Sequence, residues 1–220
     1  MNYVYAIKED SQIEQMKQVL LSDKLHGQRN YILFLLGIYS GYRISDILKL
    51  KVSDVYNKKY FEIIENKTGK LRKRIIHPEL KEELNLYIES NKLSLDSYLF
   101  PSQKHRNEIT VKTIPKKTKR KKNSKNTGEY ITIKNKAPNS PITRKTAWEI
   151  LNKAAKEIGI TDNIGTHSLR KTFGNKIYKN TGDLVLTQQA IGHSNSSIGS
   201  TKRYLGIDQA EIDNAIMNCL

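Results

Sequence analysis

The chain has 220 residues, room for one large domain or two small ones, and its 38 Lys and Arg against 22 Asp and Glu leave a formal net charge of +16. Such a surplus attracts polyanions and points first to nucleic acid, with a lysine-rich coding bias as the plain alternative. The longest apolar run, Tyr31 to Tyr39, is far short of the ~20 residues that cross a bilayer, no secretory signal is visible, and the single Cys219 has no internal disulfide partner, so a soluble, cytoplasmic protein without a membrane partner is expected.

Helix signals come first along the chain. Ser11 and Glu14 have capping-box spacing, and Ile13, Met16, Val19 and Leu20 recur at helical intervals up to Ser22. A more buried helix is expected from Gln28 to Ser40, ending before Gly41, and "ISDILKL" reads as a third with Ile44, Ile47 and Leu48 inward. The period then changes. "YFEIIEN" and "LRKRIIH" are β-favourable runs joined by "NKTGK", in which Gly69 can take a positive φ, giving a small antiparallel hairpin with "KVSDV" as a candidate third strand. Helical patterning returns at Glu79–Ser90, Thr143–Ile158, Ser168–Asn180, Leu184–Ile191 and from Asp208 onward. The sum is an α+β, mainly α domain: helices around a small antiparallel β-sheet.

From Lys112 to Lys125 the segment "KTIPKKTKRKKNSK" carries eight basic residues and no acid. It reads as a solvated loop that can also lie along a phosphate backbone without reading sequence, through Lys116, Lys117, Lys119, Arg120, Lys121 and Lys122. Arg144 and Lys145, at the start of the helix beyond it, are further candidate DNA contacts. No Gly-rich phosphate loop, zinc-type Cys/His cluster or internal repeat is present.

Three local clusters remain: "GYRISDILKL" around Arg43, "THSLRKTFG" with His167 and Arg170, and "GHSNSSIGSTKRYLG" with His193 and Tyr204. Singly, each has an ordinary explanation: a surface arginine, a structural histidine, a tyrosine packed in the core, for which Tyr31, Tyr39, Tyr87 and Tyr178 are better candidates. Taken in order and spacing, the sequence resembles the catalytic domain of the tyrosine recombinase (phage integrase) family over nearly its whole length. Arg43 matches the family's first catalytic arginine and Asp46 the acid that supports it. Lys67, in "ENKTGKLRKRII", lies where the family has a catalytic lysine on a hairpin turn; Lys70, Arg72 and Lys73 are close by, and only the resemblance selects Lys67. His167 and Arg170 match the His-x-x-Arg pair, His193 the second histidine and Tyr204 the nucleophile.

The resemblance implies a DNA breaking and rejoining enzyme, and the chemistry suits these residues. Attack on a phosphodiester adds charge to the non-bridging oxygens, which paired guanidinium donors stabilise without a metal or other cofactor. A phenol with a pKa near ~10 needs a proton acceptor, for which His167 is the candidate. The departing 5′ oxygen needs a proton, for which Lys67 is the candidate. His193 is expected to hydrogen-bond a non-bridging oxygen, and Asp46 to fix Arg43.

The expected protein is a single catalytic domain over 1–220, with a basic insertion near 103–137 and a C-terminal tail, 207–220. The family's N-terminal core-binding domain is not expected ahead of it, the sequence being either that of a short single-domain member or part of a larger protein. Ile212, Ile216 and Leu220 make one stripe in the tail, suited to docking on a neighbouring subunit or on the tail's own domain. The implied partner is double-stranded DNA, bound by a tetramer that is monomeric or weakly associated when free, with an accessory DNA-bending protein as a further partner. Site-specific recombination or integration is the expected activity. The alternatives are relaxation of DNA in the manner of a type IB topoisomerase and a DNA-binding regulator that keeps the fold.

Overall fold

The structure is a computed structural model that describes residues 4–102, 111–115, 130–134, 140–193, 198–206, 213 and 216–217. Helix α2 (Gly27–Ser40) is the centre of the fold, packed against α1 (Asp10–Leu21), α5 (Pro78–Ser90), α6 (Arg144–Glu157) and α7 (Thr166–Thr181). Its run Ile32 to Leu36 is buried on all sides. That accounts for a sequence apolar right round the helix where α1 carries only the stripe Ile13, Met16 and Leu20. The helix stops at Gly41, whose left-handed φ of 63° turns the chain out of the helix and delivers Arg43 to the head of α3 (Ile44–Ile47).

Strands β1 (Tyr60–Ile64) and β2 (Leu71–Ile75) pair antiparallel in the register Tyr60↔Ile75 to Ile64↔Leu71. The turn is closed by Glu65 N–H donating to Lys70 O (3.0 Å) and Gly69 N–H to Glu65 O (2.8 Å), with Gly69 at φ 65° as its sequence suggests. Alternation governs what faces inward: Phe61, Ile63 and, one step beyond the strand, Glu65 are buried, and Arg72 and Arg74 are the half-buried positions opposite. An inward face of two apolar residues, one acid and two arginines makes this hairpin a wall of a charged site.

Several boundaries differ from those expected. The α1 N-cap is Glu9, so Ser11 lies inside the helix and forms no capping box. "KVSDV" is no third strand: Val52–Val55 is the short helix α4, in which Asp54 accepts from Lys51 N–H (2.8 Å) and Val52 and Val55 are buried. A three-residue spacing of buried valines with a local cap wins over β-branched propensity there. The basic insertion is not all loop either, since β3 (Val111–Pro115) and β4 (Tyr130–Lys134) pair antiparallel as a second two-stranded sheet. Lys116 to Lys125 and the stripe positions Ile212 and Leu220 lie outside the described residues. Tyr42, only 1% exposed, is a core tyrosine that the sequence did not single out.

The last elements carry the remaining site residues. α7 begins after Gly165, whose N–H donates to Ser168 Oγ (3.1 Å). α8 (Leu184–Ile191) is capped by Asp183, which accepts from Leu186 N–H (2.9 Å), and ends at Gly192 with φ 67°. α9 (Ile198–Leu205) follows. Among the described residues no helix is long and apolar enough to cross a membrane.

Close packing of α2 on α7 is testable at Gly37. A Cβ there would lie 2.3 Å from Leu169 Cδ1, next to Arg170 in sequence. Gly37→Val should cost about 1–3 kcal/mol by overpacking, read as a lower urea midpoint at unchanged slope.

Candidate active site

Arg43 and Arg170 reach the same place from opposite sides. Arg43 comes from the junction of α2 and α3, Arg170 from the first turns of α7, and both guanidinium groups face the buried carboxylate of Glu65. Its Oε1 is 2.9 Å from Arg43 Nη1, 3.5 Å from Arg72 Nε and 3.9 Å from Arg170 Nη1, while Oε2 accepts from Thr68 Oγ1 at 2.8 Å. Burial alone would raise the Glu65 pKa, but the Thr68 hydroxyl and the Arg43 and Arg72 charges outweigh it and hold the carboxyl below its ordinary value. The acid expected to fix Arg43 was Asp46; the ion pair is made instead by Glu65. Asp46 is buried too, and its Oδ1 accepts from Asn66 N–H (3.2 Å), tying α3 to the hairpin turn that carries Lys67. The signal for Glu65 was present in the sequence, since it continues the inward period of Phe61 and Ile63.

The arginines also hold backbone. Arg170 Nη1 donates to Gly41 O (2.7 Å) and its Nη2 to Ile191 O. Arg72 reaches Ala190 O (3.4 Å) and Gln189 O (3.5 Å), and Arg74 also donates to Ala190 O. Three cations thus meet the carbonyl end of α8, where the helix dipole is negative. Arg74 lies by the rings of Tyr42 and Phe173, its guanidinium carbon 5.5 and 5.1 Å from their centroids, and burial lowers its pKa to about 10. Gly192 is required at the end of α8 on two counts: its φ is positive, and a Cβ would fall 1.5 Å from Arg72 Nη2.

This anchorage sets His193 beside Tyr204. The two rings meet edge to face, centroids 4.7 Å apart at 80°, and His193 Nδ1 is 3.3 Å from the buried Thr201 Oγ1, one turn before Tyr204 on α9. Burial, then Arg170, Arg43, Arg72 and Lys67, lower the His193 pKa to about 4. His167, at the start of α7, keeps an exposed edge; partial withdrawal from water and the charges of Arg170, Arg144, Arg43 and Lys171 lower its pKa as well. Both imidazoles are therefore neutral at pH 7, competent to accept a hydrogen bond or a proton. Lys67 is exposed on the turn, close enough for its charge to act on His193. Arg144 stands near His167 at the head of α6, whereas Lys145 is exposed beside Glu149 (3.8 Å). The remaining candidate DNA contacts, Lys116 to Lys122, fall outside the described residues.

The geometry is thus a cluster of Arg43, Arg72 and Arg170 around the Glu65 carboxylate, with two neutral histidines and a phenol nearby. The sequence profile of the Phage integrase family matches residues 8–211. The chain belongs to that family. Among its relatives, Probable integrase/recombinase YoeC of Bacillus subtilis is 37% identical over 209 residues, 95% of this chain and 93% of YoeC. Phage integrase relatives named as tyrosine recombinases are longer, and the chain spans only 43–58% of three of them. The crystal structure of XerA recombinase has the same fold, with a TM-score of 0.67 at 20% identity over 99% of this chain and 65% of that one. XerH bound to palindromic difH substrate, in a post-cleavage complex, superposes with a TM-score of 0.65 at 18% identity, over 96% of this chain and 52% of its own.

Two measurements probe the charges. Glu65→Ala leaves three guanidinium groups facing one another and should cost about 3 kcal/mol in unfolding free energy, with Glu65→Gln in between. The lowered histidine pKa has a definite sign. Between pH 6.5 and about 4 the unfolded chain takes up a proton at His193 that the folded chain refuses, so stability falls as pH is lowered through that interval. His167 acts in the same direction, whereas Glu65 withdraws stability only below its ordinary 4.5. Urea midpoints across pH 4–7 should show this decline, and His193→Asn should make it shallower.

Proposed function

We propose that the protein is a site-specific DNA recombinase or integrase that cuts and rejoins double-stranded DNA through a 3′-phosphotyrosyl intermediate. The observation that carries the proposal is the convergence of Arg43 and Arg170 on one anion, the Glu65 carboxylate, next to the paired rings of His193 and Tyr204. A scissile phosphate presents oxygens to the same guanidinium donors. The names and assemblies of the relatives agree with it.

In this scheme the Tyr204 oxygen attacks phosphorus and its proton passes to His167, which is held neutral and ready to accept it. Arg43, Arg170 and His193 donate to the non-bridging oxygens as negative charge builds there; His193 does so in the tautomer that places its proton toward the phosphate. The bond from phosphorus to the 5′ oxygen breaks, and Lys67, on its exposed turn, protonates the leaving oxygen. A 3′-phosphotyrosyl ester and a free 5′ hydroxyl result. A 5′ hydroxyl from the partner strand then attacks the ester, the phenol oxygen leaves and is reprotonated, and the strands are exchanged. The bond energy is kept in the ester, so no nucleotide hydrolysis is needed. Four copies acting on two DNA duplexes complete both exchanges, and the basic segment 116–125 adds backbone contacts.

Covalent protein–DNA adducts recovered under denaturing conditions test the nucleophile. Cells carrying the native flanking DNA should yield them with the wild type, clustered at one sequence, and not with Tyr204→Phe. Absence of adducts from both would favour a DNA-binding regulator, and relaxation of plasmids lacking any special site would favour topoisomerase-like action. Deleting Lys116 to Lys125 should weaken DNA binding and flatten its dependence on salt, with an unchanged slope rejecting that role.

A further inference from the structure

One buried cation has no part in that scheme. Lys171 follows Arg170 on α7 and is only 6% exposed, although lysines rarely leave water. Its Nζ lies 5.2 Å from the centroid of the Tyr204 ring, and the edge-to-face contact of that ring is with His193. A cation at the face of a phenol attracts its π electrons, and it attracts the ring far more once the oxygen carries negative charge, because the charges then interact where water is largely excluded.

We infer that Lys171 is a positioning residue for Tyr204, fixing the plane of its ring and favouring the phenol's charged form over its neutral one. The inference rests on the proposed nucleophilic role of Tyr204 and assigns a separate task. When Tyr204 attacks, the ammonium steadies the oxygen as its proton leaves. In the return step the bond between phosphorus and the phenol oxygen breaks, the electron pair goes to that oxygen, and the same ammonium makes it a better leaving group until a proton arrives. Arg170 on α7 interacts with Tyr204 and His193 meets its ring, while Lys8, Glu9, Asp162 and Arg203 line the same cavity as Tyr204 and Lys171. Variants that differ only at residue 171 leave this background in place, so the change they make in the Tyr204 titration belongs to Lys171. An arginine at 171 preserves the charge and removes the lysine's own titration from the curve.

The test is carbon-13 NMR of protein labelled at tyrosine Cζ, followed from pH 7 to 12 without DNA, with Tyr204→Phe identifying the Tyr204 signal. Relative to wild type, Lys171→Met should raise the proton affinity of Tyr204 about tenfold, moving the titration midpoint up by about one pH unit, and Lys171→Arg should leave it near the wild type. Lys171→Gln serves as the neutral variant should Lys171→Met not fold. Adducts recovered from cells should fall about tenfold with the neutral variant and largely return with arginine. A folded neutral variant whose Tyr204 titration overlays the wild type overturns the inference. A shifted titration with no adducts from the wild type supports the electrostatic effect and instead removes the recombinase reading, so the two fail separately.

Discussion

The site is organised around one buried carboxylate. Arg43, Arg72 and Arg170 are brought together in a partly dry region where their mutual repulsion is weakly screened, and Glu65 is the counter-charge that lets them stay. Its position follows from strand geometry alone, as the next inward residue after Phe61 and Ile63. From this contact the structure radiates outward: Arg43 fixes the α2 to α3 corner, Arg170 the start of α7, and Arg72 the link between hairpin and α8. Three guanidinium groups against one carboxylate leave the cluster with a net positive charge, which suits it to a second anion.

Much of this was legible in the sequence because it is local. The α2 core helix announced itself by an apolar run, the hairpin by a change to alternating period, the turn by Gly69, and the carriers of Arg43, His167 and Arg170 by helical spacing. The resemblance of the ordered motifs then supplied what spacing cannot, the meeting of residues far apart in the chain. What escaped was decided by context. Ser11 has the chemistry of a cap but is the second residue of a helix that begins at Asp10. Val52 to Val55 favours a strand by composition and becomes a helix because its two valines are buried on one face. Asp46 was expected as the partner of Arg43 from the family resemblance, whereas the ion pair with Glu65 at the end of the hairpin strand forms only in three dimensions.

The two histidines show how one field gives two residues a shared state. Both lie among arginines, and both are pushed toward neutrality, His193 to a pKa of about 4. A phosphate entering that field neutralises part of it and raises the affinity of both rings for a proton. In the proposed reaction, substrate binding and proton acceptance are thereby linked through electrostatics.

The arginine contacts to the end of α8 bear on how the protein is made. Arg72 and Gln189 are separated by 117 positions, and Arg74 and Ala190 by 116, so the hairpin emerges from the ribosome long before the carbonyls it will hold. Until α8 is synthesised, β2 carries arginines on its inward face without the carbonyls that accept from them, and Tyr204 follows later still. A prematurely terminated chain can display the basic wall yet lacks Tyr204. The order of synthesis thus withholds the proposed nucleophile until the elements around it exist.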